Sequence, residues 1–125
     1  MLANAPVSAV VATTDIQRAT EFYGQTLGLQ PVGEDLPGAV AAYACGGGTT
    51  LHVYERATAG DSEATCASFQ VDDVPGTAER LRANGVTFEN YDTPDIKTEN
   101  GVMTFGEFQA AWFKDPDGNI LCISH

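Results

Sequence analysis

The chain has 125 residues, 43% of them hydrophobic, and sets six Lys and Arg against seventeen Asp and Glu for a formal net charge of −11. That length suits one domain with a real core and excludes two ordinary domains unless they are small repeated modules. The acidic balance repels phosphate backbones and anionic membranes, so neither nucleic acid nor a membrane surface is an expected partner, and it also serves plain solubility.

No apolar run is long enough to span a bilayer, and the opening MLANAPVSAVVA lacks a basic start and is interrupted by Ser8. Cys45, Cys66 and Cys122 form an odd and widely spaced set, which predicts reduced thiols in a cytoplasm.

In chain order, Val7 to Ala12 reads as a strand. Asp15 is placed to cap a helix carrying Ile16, Ala19, Phe22, Tyr23 and Leu27 on one face, which Gly28 ends. Leu29 to Val32 and Ala39 to Ala44 read as strands, and Gly46-Gly47-Gly48 turns the chain into another, Thr49 to Glu55. The glycine triplet lacks the Lys-Ser/Thr pair and following helix of a phosphate loop, so a hairpin turn is the expectation. Residues 57–64 form a polar linker.

The same grammar then restarts. Thr65 to Val71 is a strand, Asp73 a cap, and Val74, Thr77, Ala78 and Leu81 mark a helix ending near Gly85. Val86 to Tyr91 is the next expected strand, and Asp92 to Glu107 a long loop of the kind that forms lids. The close is a hairpin, with strands on either side of Asp115-Pro116-Asp117-Gly118-Asn119: Pro116 presets an early turn position and Gly118 supplies a positive φ.

These halves are an internal repeat, with modules at about 1–56 and 65–125. A shift of 58 carries Asp15 onto Asp73 and Ser8 onto Cys66; a shift of 70 carries Leu51 onto Leu121 and His52 onto Cys122; a shift of 69 is read for Tyr43 onto Trp112. The fold class is therefore α+β, two tandem βαβββ modules whose sheet curves around a cavity with the helices outside. In that geometry Ser8, His52, Cys66 and Cys122 are expected to converge in one cavity.

The run Thr14-Asp15-Ile16-Gln17-Arg18-Ala19-Thr20-Glu21-Phe22-Tyr23, with Leu27-Gly28, and the run Trp112-Phe113-Lys114-Asp115-Pro116-Asp117-Gly118-Asn119 resemble the vicinal oxygen chelate superfamily. That group includes glyoxalase I, extradiol dioxygenases, methylmalonyl-CoA epimerase and the bleomycin and fosfomycin resistance proteins. The resemblance covers essentially the whole chain. It implies a divalent metal held by His, Gln or Glu at the four symmetric positions, and here those positions hold Ser8, His52, Cys66 and Cys122, none a carboxylate. A hard, six-coordinate ion is poorly served by that set.

No cofactor is therefore predicted, and the first reading is a metal-independent small-molecule binding protein that sequesters an antibiotic or metabolite. The expected ligand-binding residues are Ser8, Val10, His52, Tyr54, Cys66, Ser68, Gln70, Trp112 and Cys122, with Ile120 as a further apolar wall and Phe105 and Phe108 as candidates to close over a ligand. The alternative is a lyase, isomerase or dioxygenase relative with an atypical thiol-bearing site, in which His52, Cys66 and Cys122 hold zinc. Against it, buried thiols are more often small apolar fillers. A redox pair of Cys66 and Cys122 is a lesser option, since the family's strand order sets their strands side by side. No catalytic set emerges: His52 is the one candidate general base, and no carboxylate is visible to pair with it. A small-molecule ligand and a homodimer, the latter implied by the family alone, are the expected partners. A third reading, an interaction module without a ligand, stands beside these.

Overall fold

The structure is a computed structural model that describes residues 1–33 and 40–125. Ala39, the expected first residue of a strand, lies outside the described residues. The first half contains β1 (Ala9–Thr13), α1 (Ile16–Thr20), β2 (Gln30–Pro31), β3 (Val40–Ala44) and β4 (Thr50–Glu55). The second contains β5 (Thr65–Gln70), α2 (Val74–Ala83), β6 (Thr98–Glu99), β7 (Val102–Phe105), β8 (Phe108–Lys114) and β9 (Ile120–Ser124).

The tandem α+β architecture is the one expected, arranged as two mixed sheets with strand orders β1-β4-β3-β2 and β5-β9-β8-β7-β6. The sheets approach each other where β1 meets β5. Both helices start on the predicted caps: the Asp15 carboxylate accepts from the Arg18 amide and the Asp73 carboxylate from the Gly76 amide. Past Thr20 the first helix widens into a π-helical segment, Glu21–Thr26, and the Leu27 amide reaches back to the Phe22 carbonyl.

The ladders test the repeat residue by residue. Val10 lies opposite His52 and Val11 opposite Val53, while Ser68 lies opposite Cys122 and Phe69 opposite Ile123, as shifts of 58 and 70 require. One expected equivalence needs correction. Tyr43 faces Leu51, and the residue facing Leu121 is Phe113, so Tyr43 matches Phe113 and Trp112 matches Ala42. Tyr43 and Phe113 are both buried core, and a slip of one residue would have turned one of them to the opposite face.

Two further expectations change. Val86 to Tyr91 is not a strand: Phe88 makes a single bridge to Phe113, and the Glu89 amide donates to the Trp112 carbonyl. The segment expected as a long loop instead holds β6 and β7, hairpinned through Asn100-Gly101. The strand equivalent to β2 is thus β7, with β6 outside it at the sheet edge.

Between helices and sheets lies one core containing Val11, Tyr23, Tyr43, Leu51, Val53, Val74, Phe88, Phe113, Leu121 and Ile123, with Phe22 and Phe69 packed against it. The Asp115–Asn119 turn locks the halves together. The Asp115 carboxylate, 5% exposed, accepts from the Tyr23 hydroxyl at 2.6 Å, from the Asp117 and Asn119 amides, and from the Asn119 side chain. Asn119 also donates across the module boundary to the Ala12 carbonyl at 2.8 Å. Gly118 takes the predicted positive φ, 93°. Among the described residues no helix is long and apolar enough to cross a membrane.

Candidate functional site

Strand alternation decides which side chains face away from the helices. Leu51 and Val53 of β4 enter the core, so Thr50, His52 and Tyr54 point the other way. Directly paired residues share a face, which sets His52 between Val10 and Ala42. In the second sheet Leu121 and Ile123 enter the core, and Cys122 lies between Ser68 and Trp112 on the opposite face. The repeat therefore gives each module one central residue with a flank on either side.

The two faces differ in chemistry. On the first, Val10 is 54% exposed and Tyr54 36%, and the Arg56 guanidinium lies 5.6 Å from the Tyr54 ring centroid. On the second, Trp112 meets Tyr91 edge to face, with ring centroids 5.6 Å apart. Tyr91 is held by a paired backbone, its amide donating to the Thr98 hydroxyl at 2.8 Å and its carbonyl accepting from the Thr98 amide at 2.8 Å. Ala110 shares the Trp112 face, and Met103 lies across from it. The sequence reading leaves Tyr91 and Met103 out of the site. The signal that places them is the Asn100-Gly101 turn, a strong hairpin marker, which folds β7 onto β8.

The expected site residues disperse in part. The Ser8 hydroxyl is bonded to the Thr50 hydroxyl at 2.5 Å. Cys66 falls at a bulge between Thr65 and Ala67, where its thiol donates to the Ile120 carbonyl at 3.3 Å, so the residue beside Cys122 is Ser68 and not Cys66. All three cysteines are free. Ile120 is buried at 8% exposure. Phe105 and Phe108 pair across the tip of the β7–β8 hairpin at 80% and 45% exposure, projecting and not folded over a pocket. Ser68 and Gln70 line a cleft of about 600 Å³ at the module boundary.

Two of the thiols are held above the ordinary cysteine value. Burial pushes Cys122 up, against the opposing effect of hydrogen bonds from Ser68 and the Ala111 backbone. Burial also raises Cys66, and the Asp115 charge adds to it.

A divalent ion bound from the four symmetric positions would meet a serine hydroxyl engaged with Thr50, one imidazole and two protonated thiols with carbonyl partners. Among the described residues no three His, Cys, Asp or Glu side chains come close enough to hold an ion together. The donors at these four positions do not fit a hard octahedral ion, and among the described residues His52, Cys66 and Cys122 do not assemble into a zinc-type set.

The family model described as Glyoxalase/Bleomycin resistance protein/Dioxygenase superfamily matches residues 6–123. An uncharacterized protein of Bacillus subtilis, YetH, is 30% identical, with 93% of each chain covered. Among solved structures, a glyoxalase family protein from Bacillus anthracis superposes with a TM-score of 0.75 at 16% identity, covering 97% of this chain and 93% of that one. TnmS3, described as an antibiotic binding protein from Streptomyces sp. CB03234, superposes with a TM-score of 0.65 at 23% identity, covering 96% and 95%. At these identities the two solved structures speak to fold alone.

Proposed function

The chain belongs to the glyoxalase/bleomycin resistance protein/dioxygenase superfamily, and from that premise we propose that it is a metal-independent binding protein for an aromatic or cationic small molecule. The observation that carries this reading is the sheet face around Trp112. An edge-to-face Trp112–Tyr91 pair stands beside the small residues Ala110 and Cys122, with no carboxylate at any of the four symmetric positions. Such a surface stacks a planar ligand without activating one. A cationic ligand gains further from the aromatic faces and from the chain's net charge of −11. That TnmS3 is described as an antibiotic binding protein is consistent with sequestration of a drug or metabolite on this scaffold.

The proposal includes a homodimer. Val10, Tyr54, Phe105 and Phe108 are exposed apolar residues that a second copy could cover, and pairing of two copies is the assembly that the family relationship suggests. It also includes a cytoplasmic location, supported by three free cysteines.

The test is elemental analysis of protein purified without chelators, together with light scattering. The reading expects substoichiometric metal and a dimer mass. One zinc or nickel per chain that disappears in His52→Ala would overturn metal independence, and a monomer at micromolar concentration would overturn the dimer.

A further inference from the structure

The cleft at the module boundary is a different kind of place from the Trp112 face. Its volume of about 600 Å³ falls in the roughly 300–1,000 Å³ range of small-molecule sites. The glycine turn and Thr49 close it from the first module, and Ser68, Gln70, Asp72 and His125 from the second. β5 is the outer strand of its sheet, so this side of it is not covered by a neighbouring strand of that sheet.

The lining mixes polar groups with the apolar Cys45 and Phe69, and the Ser68 hydroxyl shares a hydrogen bond with the Ser124 hydroxyl at 3.3 Å. The Thr49 hydroxyl donates its proton to the Gly46 carbonyl at 2.7 Å, which leaves its lone pairs open. His125 Nδ1 lies 2.9 Å from the Val71 carbonyl. A carbonyl only accepts, so Nδ1 is the donor in this contact, and Nε2 makes no hydrogen bond among the described residues. Asp72 adds a carboxylate. Among the described residues the ion pairs are Arg18–Asp117 and Lys114–Glu89, so Asp72 belongs to neither, and no Lys or Arg lines the cleft. One carboxylate amid hydroxyl, amide and imidazole groups suits a ligand that brings positive charge and several hydroxyls.

We propose that this cleft is a second ligand site and that it takes a compact hydroxylated ammonium compound. The ammonium group is held by Asp72, and the hydroxyls by Thr49, Ser68, Gln70 and His125. Trp112 does not line the cleft; Ser68 does, and it also flanks Cys122 on the aromatic face, so Trp112→Phe, which alters that face alone, separates the two sites.

Calorimetric titration of the full chain with glucosamine, glucose and glucuronate tests it. Glucosamine is expected to bind saturably at one site, glucose at least about tenfold more weakly for want of the charge-assisted bond, and glucuronate not at all. Asp72→Asn should weaken glucosamine at least about tenfold, and Trp112→Phe should leave it unchanged. Asp72 is exposed and does not cap α2, a role taken by Asp73, so an unaltered thermal midpoint is expected for Asp72→Asn. Absence of glucosamine binding, equal binding of glucose, or full affinity in Asp72→Asn would each overturn the proposal. Loss of binding in Trp112→Phe alone would move the ligand to the other face and overturn it as well.

Discussion

Asp117 shows how much one side chain can do at a module boundary. Its side chain is 2% exposed; one oxygen accepts from the Thr14 amide, the Thr14 hydroxyl and Arg18, and the other from the Thr13 hydroxyl at 2.6 Å. Burial alone would push its carboxyl up, but these bonds and the Arg18 charge together hold it below the ordinary carboxylate value. A folded-state value below the unfolded one, about 3.9, adds stability that is complete above the unfolded value and is lost as pH falls through the folded value. Asp117→Asn should therefore cost about 1–3 kcal/mol at neutral pH, and the gap from wild type should close in acid. Urea denaturation across pH 2–7, a span of about five units around that reference value, measures both.

Gly60 is the other demanding residue here, and it lies in the linker. Its φ is +72°, and a Cβ there would fall 1.8 Å from the Asp117 carbonyl oxygen. Gly60→Ala combines left-handed strain with a backbone clash and should destabilise by about 2–5 kcal/mol in the same assay. The thiols give a third residue-scale prediction. Cys122 is buried and raised by that burial, whereas Cys66 is exposed, so a thiol reagent at pH 7 should label Cys122 of the folded chain far more slowly than in the unfolded chain; equal rates at Cys122 would contradict the raised value.

At the scale of elements, what was legible followed from local chemistry. Asp15 and Asp73 cap their helices, the glycine triplet turns the chain, and Pro116-Asp117-Gly118 makes a hairpin turn, because each is decided within a few residues. Phe88 was harder to place. Its segment has a strand's composition, yet it forms one bridge because β7 takes the position beside β8. Tertiary competition for one sheet position is invisible in a short window. The packing of Phe88 makes the consequence measurable. It is 5% exposed, stacks edge to face on Phe113 at 5.4 Å, and is covered by the Arg82 guanidinium at 5.0 Å. Phe88→Ala should cost about 3–5 kcal/mol, as expected of core and not of a loop; a loss under about 1 kcal/mol would place it outside the core.

For the molecule as a whole, duplication explains why the site was only half readable. Shifts of 58 and 70 identify the paired central residues His52 and Cys122, and the ladders bear out both. How the modules sit against each other depends on longer-range contacts: a bulge that sends the Cys66 thiol to the Ile120 carbonyl, and a turn that ties Asn119 to Ala12. Neither leaves a periodic trace in the sequence.

The central claim is metal-free binding at the Trp112 face, and the chain carries its own reporter, since Trp112 is its one tryptophan. The most direct measurement is a fluorescence titration of the purified protein with a planar cationic aromatic compound, in excess EDTA and again in excess zinc. The account predicts saturable quenching with the same Kd in both, abolished in binding by calorimetry when Trp112 is replaced by Ala. Quenching that requires zinc, or calorimetric affinity unchanged in Trp112→Ala, would contradict it.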